Sequence, residues 1–426
     1  MDKKNIWYFH HYATPLTMSG MGRPSWFGRH LQKAGHDITV FSASFLHYSS
    51  RNLIDDDSLF IRNNDTPIPF VFVKTRAYAE SGKERVINML QFYVNLKKTV
   101  KKLLRSGEKK PDVIIASSPH PLTMLAGIQI AKKLKVPCIC EVRDFWPEVF
   151  FFGGKLKEKS LLGRLLVAGE HWIYRHADAM IFLKEGDTNY ISDHHWEKDV
   201  PLAKCHYINN GIDFEEFRRI IDEADYHDPD LESGKFKIVY VGAIRPVNNV
   251  DMILDAAKKL GDDPEIEFLI YGDGNLVPHI RQRIDDEKIN NVKLKGYVPK
   301  NVVPAILSKA DVNLLNYSSN QYNWSRGNSS NKLFEYMASG KPILTNVKMG
   351  YCLLQKYNCG KVAESESLDS YVEAIRKIKM LSPQEYDELC RNALRAAQDF
   401  DYKNLSRSLL AVIGEVCHCT DGEKAK

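Results

Sequence analysis

The sequence has no run of about 18 apolar residues, the length a helix needs to cross a bilayer, so no membrane-spanning helix is expected. Its first apolar stretch, Ile6-Trp7-Tyr8-Phe9, follows Met1-Asp2-Lys3-Lys4-Asn5, is interrupted by His10 and His11, and has no small-residue cleavage site. It reads as a first strand and not as a secretion signal, which places the protein in the cytosol. Cysteine is sparse and scattered: Cys138, Cys140, Cys205, Cys352, Cys359 and Cys390 read as small core residues. The one cluster, Cys417-His418-Cys419, lacks a second ligand pair, so no zinc site is expected. No carboxylate-rich metal motif, solenoid-period repeat or nucleic-acid motif is present. The dinucleotide fingerprint G-x-G-x-x-G is missing too. Gly20 and Gly22 precede a helix but do not complete it, and Tyr271-Gly272-Asp273-Gly274-Asn275 lacks the third glycine.

What is there is an ordinary globular composition over 426 residues, 44% hydrophobic and 27% charged, which suits two domains of about 200 residues each. Short apolar strands alternate with longer amphipathic helices. Strands are expected at 6–9, 37–42, 113–117, 138–142 and 180–183, with helices at 25–33 and 122–134 and Gly35 closing the first helix. After the turn cluster Asn209-Asn210-Gly211-Ile212-Asp213, the acidic stretch 220–234 shows no core pattern and reads as a linker region. A second set then begins. Its strands fall at 236–241, 266–271, 292–294, 312–315 and 342–345, and its helices at 251–260, 276–287, 302–309, 332–339 and 368–379. This alternation predicts two doubly wound α/β domains, 1–208 and 209–401, with a C-terminal helix at 402–416 packing back on the first. Ligands are expected beyond the carboxyl ends of the strands, and the inter-domain cleft is the default site.

Four loops can carry chemistry. Gly20 and Gly22 open the first helix, where bare backbone N–H groups suit an anion; a plain surface loop is the alternative. Arg143-Asp144, followed by Phe145-Trp146-Pro147-Glu148, ends a parallel strand at the mouth of a cleft, as a binding pair or as a loop ion pair. Gly242 to Asn249 follows the first strand of the second domain and places Arg245 where a phosphate needs a cation. Most informative is Arg326-Gly327-Asn328-Ser329-Ser330-Asn331-Lys332-Leu333-Phe334-Glu335. A small polar loop opens a helix, whose free N–H groups and dipole, with Lys332, make a diphosphate cradle. Glu335, one turn in, suits vicinal ribose hydroxyls or a helix cap.

At these residues the chain resembles the family 4 glycosyltransferases of the GT-B fold, whose two Rossmann-like domains face a central cleft. The resemblance runs from Lys33-Ala34-Gly35-His36-Asp37-Ile38-Thr39-Val40 through Asn210-Gly211-Ile212-Asp213 to Phe334-Glu335-Tyr336-Met337-Ala338-Ser339-Gly340-Lys341-Pro342. The segment Glu141 to Glu148 resembles the capsule, O-antigen and exopolysaccharide branch, which includes transferases of N-acetylated deoxy-amino sugars. The resemblance implies retaining transfer from a nucleotide sugar, most often UDP-linked, to a glycan or polyprenyl-diphosphate-linked acceptor. Donor would bind mainly the second domain and acceptor the first, with no catalytic metal and no other cofactor. Arg143, Asp144, Arg245 and Lys332 would be catalytic. Donor contacts would fall on Gly20, Gly22, Gly242, Arg245, Asn248, Tyr297, Val298, Asn328, Ser329, Ser330, Asn331, Lys332 and Glu335. Gly327 stands where the family has the first Glu of its E-x7-E motif, and Ala243 and Asn248 stand at its usual Arg and Lys. Those departures keep a non-catalytic partner subunit in view, and the two-domain architecture also admits a nucleotide-sugar epimerase.

Charge and apolar residues coincide twice. Seven Lys and Arg face Glu108 alone between Lys97 and Lys110, on a helix-patterned stretch 85–105. Val149-Phe150-Phe151-Phe152 precedes Lys155, Lys157 and Lys159. Within 85–110 and 149–159 these suit peripheral contact with anionic lipid on the inner face of the cell membrane, or a helix packed on the sheet with a solvated lysine face. Nucleic acid has no supporting motif.

Overall fold

In the computed structural model the described residues are 2–18, 20–79, 82–154, 156–320 and 322–424, of which 419–424 are described without their side chains. The chain forms two compact units: unit 1 runs to Asn209 and takes in the chain again from Tyr402, and unit 2 is Asn210–Asp401.

Unit 1 begins with β1 (Asn5–His10), α1 (Arg23–Lys33) and β2 (Asp37–Ala43), then β3 (Phe60–Asn63), β4 (Phe70–Val73) and α2 (Lys83–Arg105). It continues through β5 (Val113–Ser117), α3 (Pro121–Leu134), β6 (Cys138–Val142), α4 (Trp146–Phe152), α5 (Leu161–His176), β7 (Ala179–Phe182) and β8 (Cys205–Tyr207). The sheet order is β8-β7-β6-β5-β1-β2-β4-β3, parallel throughout except for the antiparallel pair β3 and β4. All six residues of β1 are buried, as a central parallel strand covered on both faces requires. Gly35, at φ +90°, ends α1: its N–H reaches the Gln32 carbonyl and that of His36 the Leu31 carbonyl, the wrap a left-handed glycine permits. The order in which strands are added reverses between β1 and β5, so their carboxyl ends, His10 and Ser117, flank the crevice where such sheets bind ligands.

Unit 2 holds α6 (Phe214–Glu223), β9 (Phe236–Val241), α7 (Val250–Lys259), β10 (Ile266–Tyr271), α8 (Val277–Asp286), β11 (Val292–Gly296) and α9 (Val303–Ser308). It continues with β12 (Val312–Leu315), α10 (Asn331–Ala338), β13 (Ile343–Thr345), β14 (Gly360–Val362), α11 (Leu368–Lys379) and α12 (Pro383–Asp399). Its order β11-β10-β9-β12-β13-β14 is all parallel and doubly wound, with the reversal between β9 and β12. The chain then returns to unit 1 as α13 (Tyr402–Lys424). There the Tyr402 ring packs on Trp26 at 6.1 Å and edge-on to Phe27 at 5.3 Å, both on α1.

One expectation is corrected. The stretch 220–234 is no linker: it belongs to unit 2, begins inside α6, and buries Leu231 and Asp228. The Asp228 carboxylate accepts a 2.7 Å hydrogen bond from Tyr271 Oη and pairs with Lys295 at 2.8 Å. A polar anchor of this kind leaves no hydrophobic period in the sequence, so the segment looked unattached.

Candidate functional site

In unit 2, Gly242, Asn248, Ser330 and Lys332 come together at the switch between β9 and β12, with Tyr240 and Tyr317 among them. Tyr336 Oη donates to the Val241 carbonyl at 3.0 Å and accepts from the Val241 N–H at 3.2 Å, locking α10 beside the end of β9. The Ser330 hydroxyl, at the cap position of α10, turns to Tyr317 Oη instead of to a helix amide, so the cap residue leaves the first turn uncapped. Asn328 shapes the approach, its Oδ1 accepting from the Ser330 N–H at 2.8 Å, and the Ser329 carbonyl takes the Asn210 amide at 2.6 Å. Asn331, the first residue of the helix, is exposed. The result is an uncapped helix start with positive field at its mouth.

Lys332 supplies the full charge there. Its Nζ donates to Asn248 Oδ1 at 2.9 Å and to Tyr240 Oη at 3.3 Å, and lies over the Tyr240 and Tyr317 rings at 4.9 and 5.2 Å. Burial among those rings pushes its ammonium down to about 8, against the pull of Glu335. Gly242 makes room for this side chain: a Cβ there would stand 3.1 Å from Lys332 Cδ and 3.2 Å from Nζ. Asn248, at a position where the resemblance leads one to expect lysine, therefore aims Lys332, while its Nδ2 holds the Ala243 carbonyl at 2.7 Å. Glu335 is not a cap. It lies beyond the first turn, half-buried, and its carboxylate makes no hydrogen bond among the described residues. Burial raises its pKa, with Lys300 and Lys332 opposing. Arg245 is exposed at the start of the turn after β9. Tyr297 is exposed and Val298 half-buried, just after β11. Gly327 sits at φ +103°, backbone that a glutamate adopts only under strain.

The second glycine pair has a structural cause. A Cβ on Gly272 would stand 1.8 Å from the Gly242 carbonyl oxygen and one on Gly274 2.2 Å from that of Ile244. Both glycines let the loop after β10 lie against the loop after β9 and carry no cofactor signature.

In unit 1, Gly20 and Gly22 lie in a loop pinned to itself, with the Thr14 N–H on the Met21 carbonyl at 3.3 Å. Gly20, at φ +152°, packs so closely on Thr14 that a Cβ would come within 2.5 Å of its Oγ1, and Gly22 caps α1. Arg143 and Asp144 form no ion pair with one another among the described residues; Arg143 Nη1 is buried without a partner, and the Asp144 side chain is exposed. Glu141, two residues earlier, holds the framework. Its carboxylate takes Arg23 Nε at 2.9 Å, Tyr8 Oη at 2.9 Å and Ser117 Oγ at 2.7 Å, with both charged side chains buried. The sequence offered no signal for this, because the partners are far apart along the chain.

Helix α2 packs on the sheet through Met89, Phe92, Leu96, Val100 and Leu103, yet leaves Val86, Ile87, Leu90 and Val94 outward. Val149 and Phe152 on α4 are also exposed. A stripe the sequence reading missed is barer still: Leu161 is 88% exposed, Leu165 67% and Leu162 55%, beside Arg164 on α5. No described helix is long and apolar enough to cross a membrane.

Residues 23–211 match the family model described as glycosyl transferase 4-like domain, and residues 222–399 that of glycosyl transferases group 1. Two curated relatives are each 25% identical. One is the UDP-Gal:alpha-D-GlcNAc-diphosphoundecaprenol alpha-1,3-galactosyltransferase of Escherichia coli, aligned over 46% of this chain and 53% of that protein, about half its length. The other is the putative teichuronic acid biosynthesis glycosyltransferase TuaH of Bacillus subtilis (strain 168), aligned over 63% of this chain and 67% of that one. Among solved structures, Anabaena Alr3699/HepE in complex with UDP superposes with a TM-score of 0.65 at 13% identity, covering 97% of this chain and all of that one.

Proposed function

We propose that this two-domain glycosyltransferase of the GT-B fold moves a sugar, with retention at the anomeric carbon, from a UDP-linked donor held by unit 2 to a lipid-diphosphate-linked acceptor held by unit 1. The pathway is the building of a surface polysaccharide. The observation that carries the reading is the uncapped start of α10 with Lys332 aimed across it and an unpaired Glu335 one turn on. The solved complexes of HepE with UDP and with UDP-glucose, and the acceptor in the name of the Escherichia coli relative, support the choice of donor and acceptor.

The chemistry follows from the charges. The bond from the anomeric carbon to the donor's phosphate oxygen breaks, and negative charge grows on the departing diphosphate. The α10 amides, Lys332 and the exposed Arg245 meet that charge more strongly in the transition state than before it. The acceptor hydroxyl oxygen bonds to the same face of the sugar, and its proton passes to the leaving phosphate oxygen. Glu335 accepts from the ribose hydroxyls, which explains a half-buried carboxylate with no internal donor. Tyr297 and Val298 offer main-chain groups to the base. With Asn248 steering Lys332, the departures at Ala243 and Asn248 do not empty the site, so the active reading is preferred to a non-catalytic subunit.

Titrating the protein with UDP, GDP and ADP by calorimetry, with EDTA present, tests this. UDP is expected to bind at micromolar affinity and Glu335→Ala to weaken it at least tenfold. Absence of binding by any of the three would reject the donor site.

We extend the proposal to peripheral membrane contact, supported by the bare leucines of α5 beside Lys159 and Arg164. Co-sedimentation with phosphatidylglycerol vesicles is expected, and a Leu161→Asp, Leu165→Asp double variant is expected to lose most of it. Equal sedimentation of the two proteins would remove α5 from the reading.

A further inference from the structure

Five buried polar atoms without partners, His10 Nε2, Thr14 Oγ1, His120 Nδ1, Thr123 Oγ1 and Arg143 Nη1, fall within or just beyond the carboxyl ends of three adjacent strands, β1, β5 and β6. Buried polar groups are nearly always satisfied, so such a concentration marks a place built for something that completes it.

The ring tautomers are fixed by their surroundings. The Asn88 amide donates to the Arg76 carbonyl at 2.6 Å, so its Oδ1 faces His11 Nε2 at 2.7 Å and must accept. His11 Nδ1 is then bare and accepts from His120 Nε2 at 2.9 Å, which leaves His120 Nδ1 a free lone pair. His10 Nδ1 accepts from the Tyr12 N–H at 3.2 Å, so His10 Nε2 carries a free N–H. Burial holds all three rings neutral, with His10 and His11 pushed down to about 3. One free donor and one free acceptor at the strand ends suit a hydroxylated ring.

Two cations stand with this set. Arg85, on α2, hydrogen-bonds only the Tyr12 phenol, at 3.2 Å, with its guanidinium over that ring at 5.6 Å, and it forms no ion pair among the described residues. Arg143 has no ion pair either, while the Ser118 hydroxyl fixes its backbone N–H at 2.8 Å. Tyr48 lies at the same place: its ring meets that of His47 at 5.1 Å and His47 meets Tyr12 at 5.4 Å, and Arg143 and Arg85 both oppose the rise that burial gives its phenol pKa. Arg143 acts on two carboxylates, Asp144 and Glu141, of which Glu141 is already paired with Arg23, so the balance over Arg23, Arg85 and Arg143 stays positive. Immediately after Arg85, α2 turns Val86, Leu90 and Val94 outward at a four-residue spacing with Ile87 beside them, each about 40–50% exposed.

We infer that Arg85 and Arg143 form the seat of the acceptor's diphosphate, with its polyprenyl chain leaving along the Val86–Ile87–Leu90–Val94 face of α2 and its sugar turned toward His10 and His120. The inference rests on the reading of unit 1 as the acceptor side. Planar guanidinium forks that form no ion pair among the described residues match phosphate oxygens, and an apolar stripe starting at the same residue serves a lipid and not a soluble oligosaccharide.

Farnesyl diphosphate is the probe, titrated into full-length Lys332→Ala protein so that the unit 2 site does not contribute. It is expected to bind, with Arg85→Gln and Arg143→Gln each weakening it at least tenfold. Leu90→Gln is expected to weaken farnesyl diphosphate several-fold and leave methyl diphosphate unchanged. Unchanged unfolding temperature, and unchanged UDP affinity when the arginine variants are made with Lys332 present, guard against misfolding. Equal farnesyl diphosphate affinity in the Arg85→Gln, Arg143→Gln double variant, or farnesol binding as tightly as its diphosphate, would overturn the inference. Loss of UDP binding alone would strike the donor reading and leave this one standing.

Discussion

Lys332→Ala is expected to lower kcat with a nucleotide-sugar donor by about 10²–10³, the usual cost of removing one preorganised charge from a developing oxyanion. The size of the effect follows from how tightly the ammonium is aimed. Asn248 and Tyr240 hold Nζ, two aromatic rings flank it, and Gly242 leaves its stem no alternative neighbour to displace. Arginine is a poor replacement, because a planar fork does not fit the space that the absent Gly242 side chain leaves. Comparable turnover in Lys332→Ala would show that the α10 amides and Arg245 suffice.

The same lysine makes a pH signature. Free, it titrates near 8 because burial disfavours its charge. A bound diphosphate favours the charge and raises that value. UDP affinity is therefore expected to hold up to about pH 8 and to fall above it, by at most about tenfold per unit. Binding at pH 8 is expected to take up about half a proton, read from calorimetry in buffers of different ionisation enthalpy, and Lys332→Ala should abolish the uptake. Stability of the free protein moves the other way. The unfolded chain keeps this proton up to about pH 10.4, so the cost of burying the charge is relieved as pH rises from 8 toward that value. A fall in affinity coinciding with a gain in stability separates Lys332 from general alkaline unfolding.

Much of this was legible in the sequence. The strands of both sheets that carry the reversal points announce themselves as short apolar runs, and the polar loop before Lys332 reads as a helix start for an anion. What stayed hidden depends on distance or on polarity. The strands Phe60–Asn63 and Cys205–Tyr207 lie at sheet edges and are only partly buried, so they show little pattern. Asp228 anchors 220–234 through hydrogen bonds, which no hydrophobic count detects. Asn248 looked like a loss because its service to Lys332 spans 84 residues. The leucines of α5 carry no signal of their exposure, since sequence does not say which side of a helix the fold leaves uncovered.

Glu141 shows the same limit with the largest consequence for stability. As a member of a charged segment at a strand end it invited a ligand role, yet it is sealed in unit 1 against Arg23, 118 residues away. Arg23 also donates to the Ile208 carbonyl at 2.8 Å and to that of Asn209, so one guanidinium ties the start of α1 to the last residues of unit 1 before the chain leaves it. Removing one member of such a pair strands the other charge, which costs about 3–5 kcal/mol. Glu141→Ala and Arg23→Met are each expected to lose that much in denaturant unfolding, Arg23→Met more, because it also orphans two carbonyls. The Glu141→Leu, Arg23→Met double variant is expected to recover a large part of the loss, since an apolar pair leaves no charge unpaired. Acid offers an independent check. Burial pushes the Glu141 carboxyl up, but Arg23 and then Arg143 overcome it and bring it down to about 2, below its ordinary 4.5. Its stabilisation is thus complete above about pH 4.5 and is lost as the pH falls toward 2, a loss the double variant should not show. Single variants as stable as the parent would mean that water reaches the pair and that packing alone holds α1 in place.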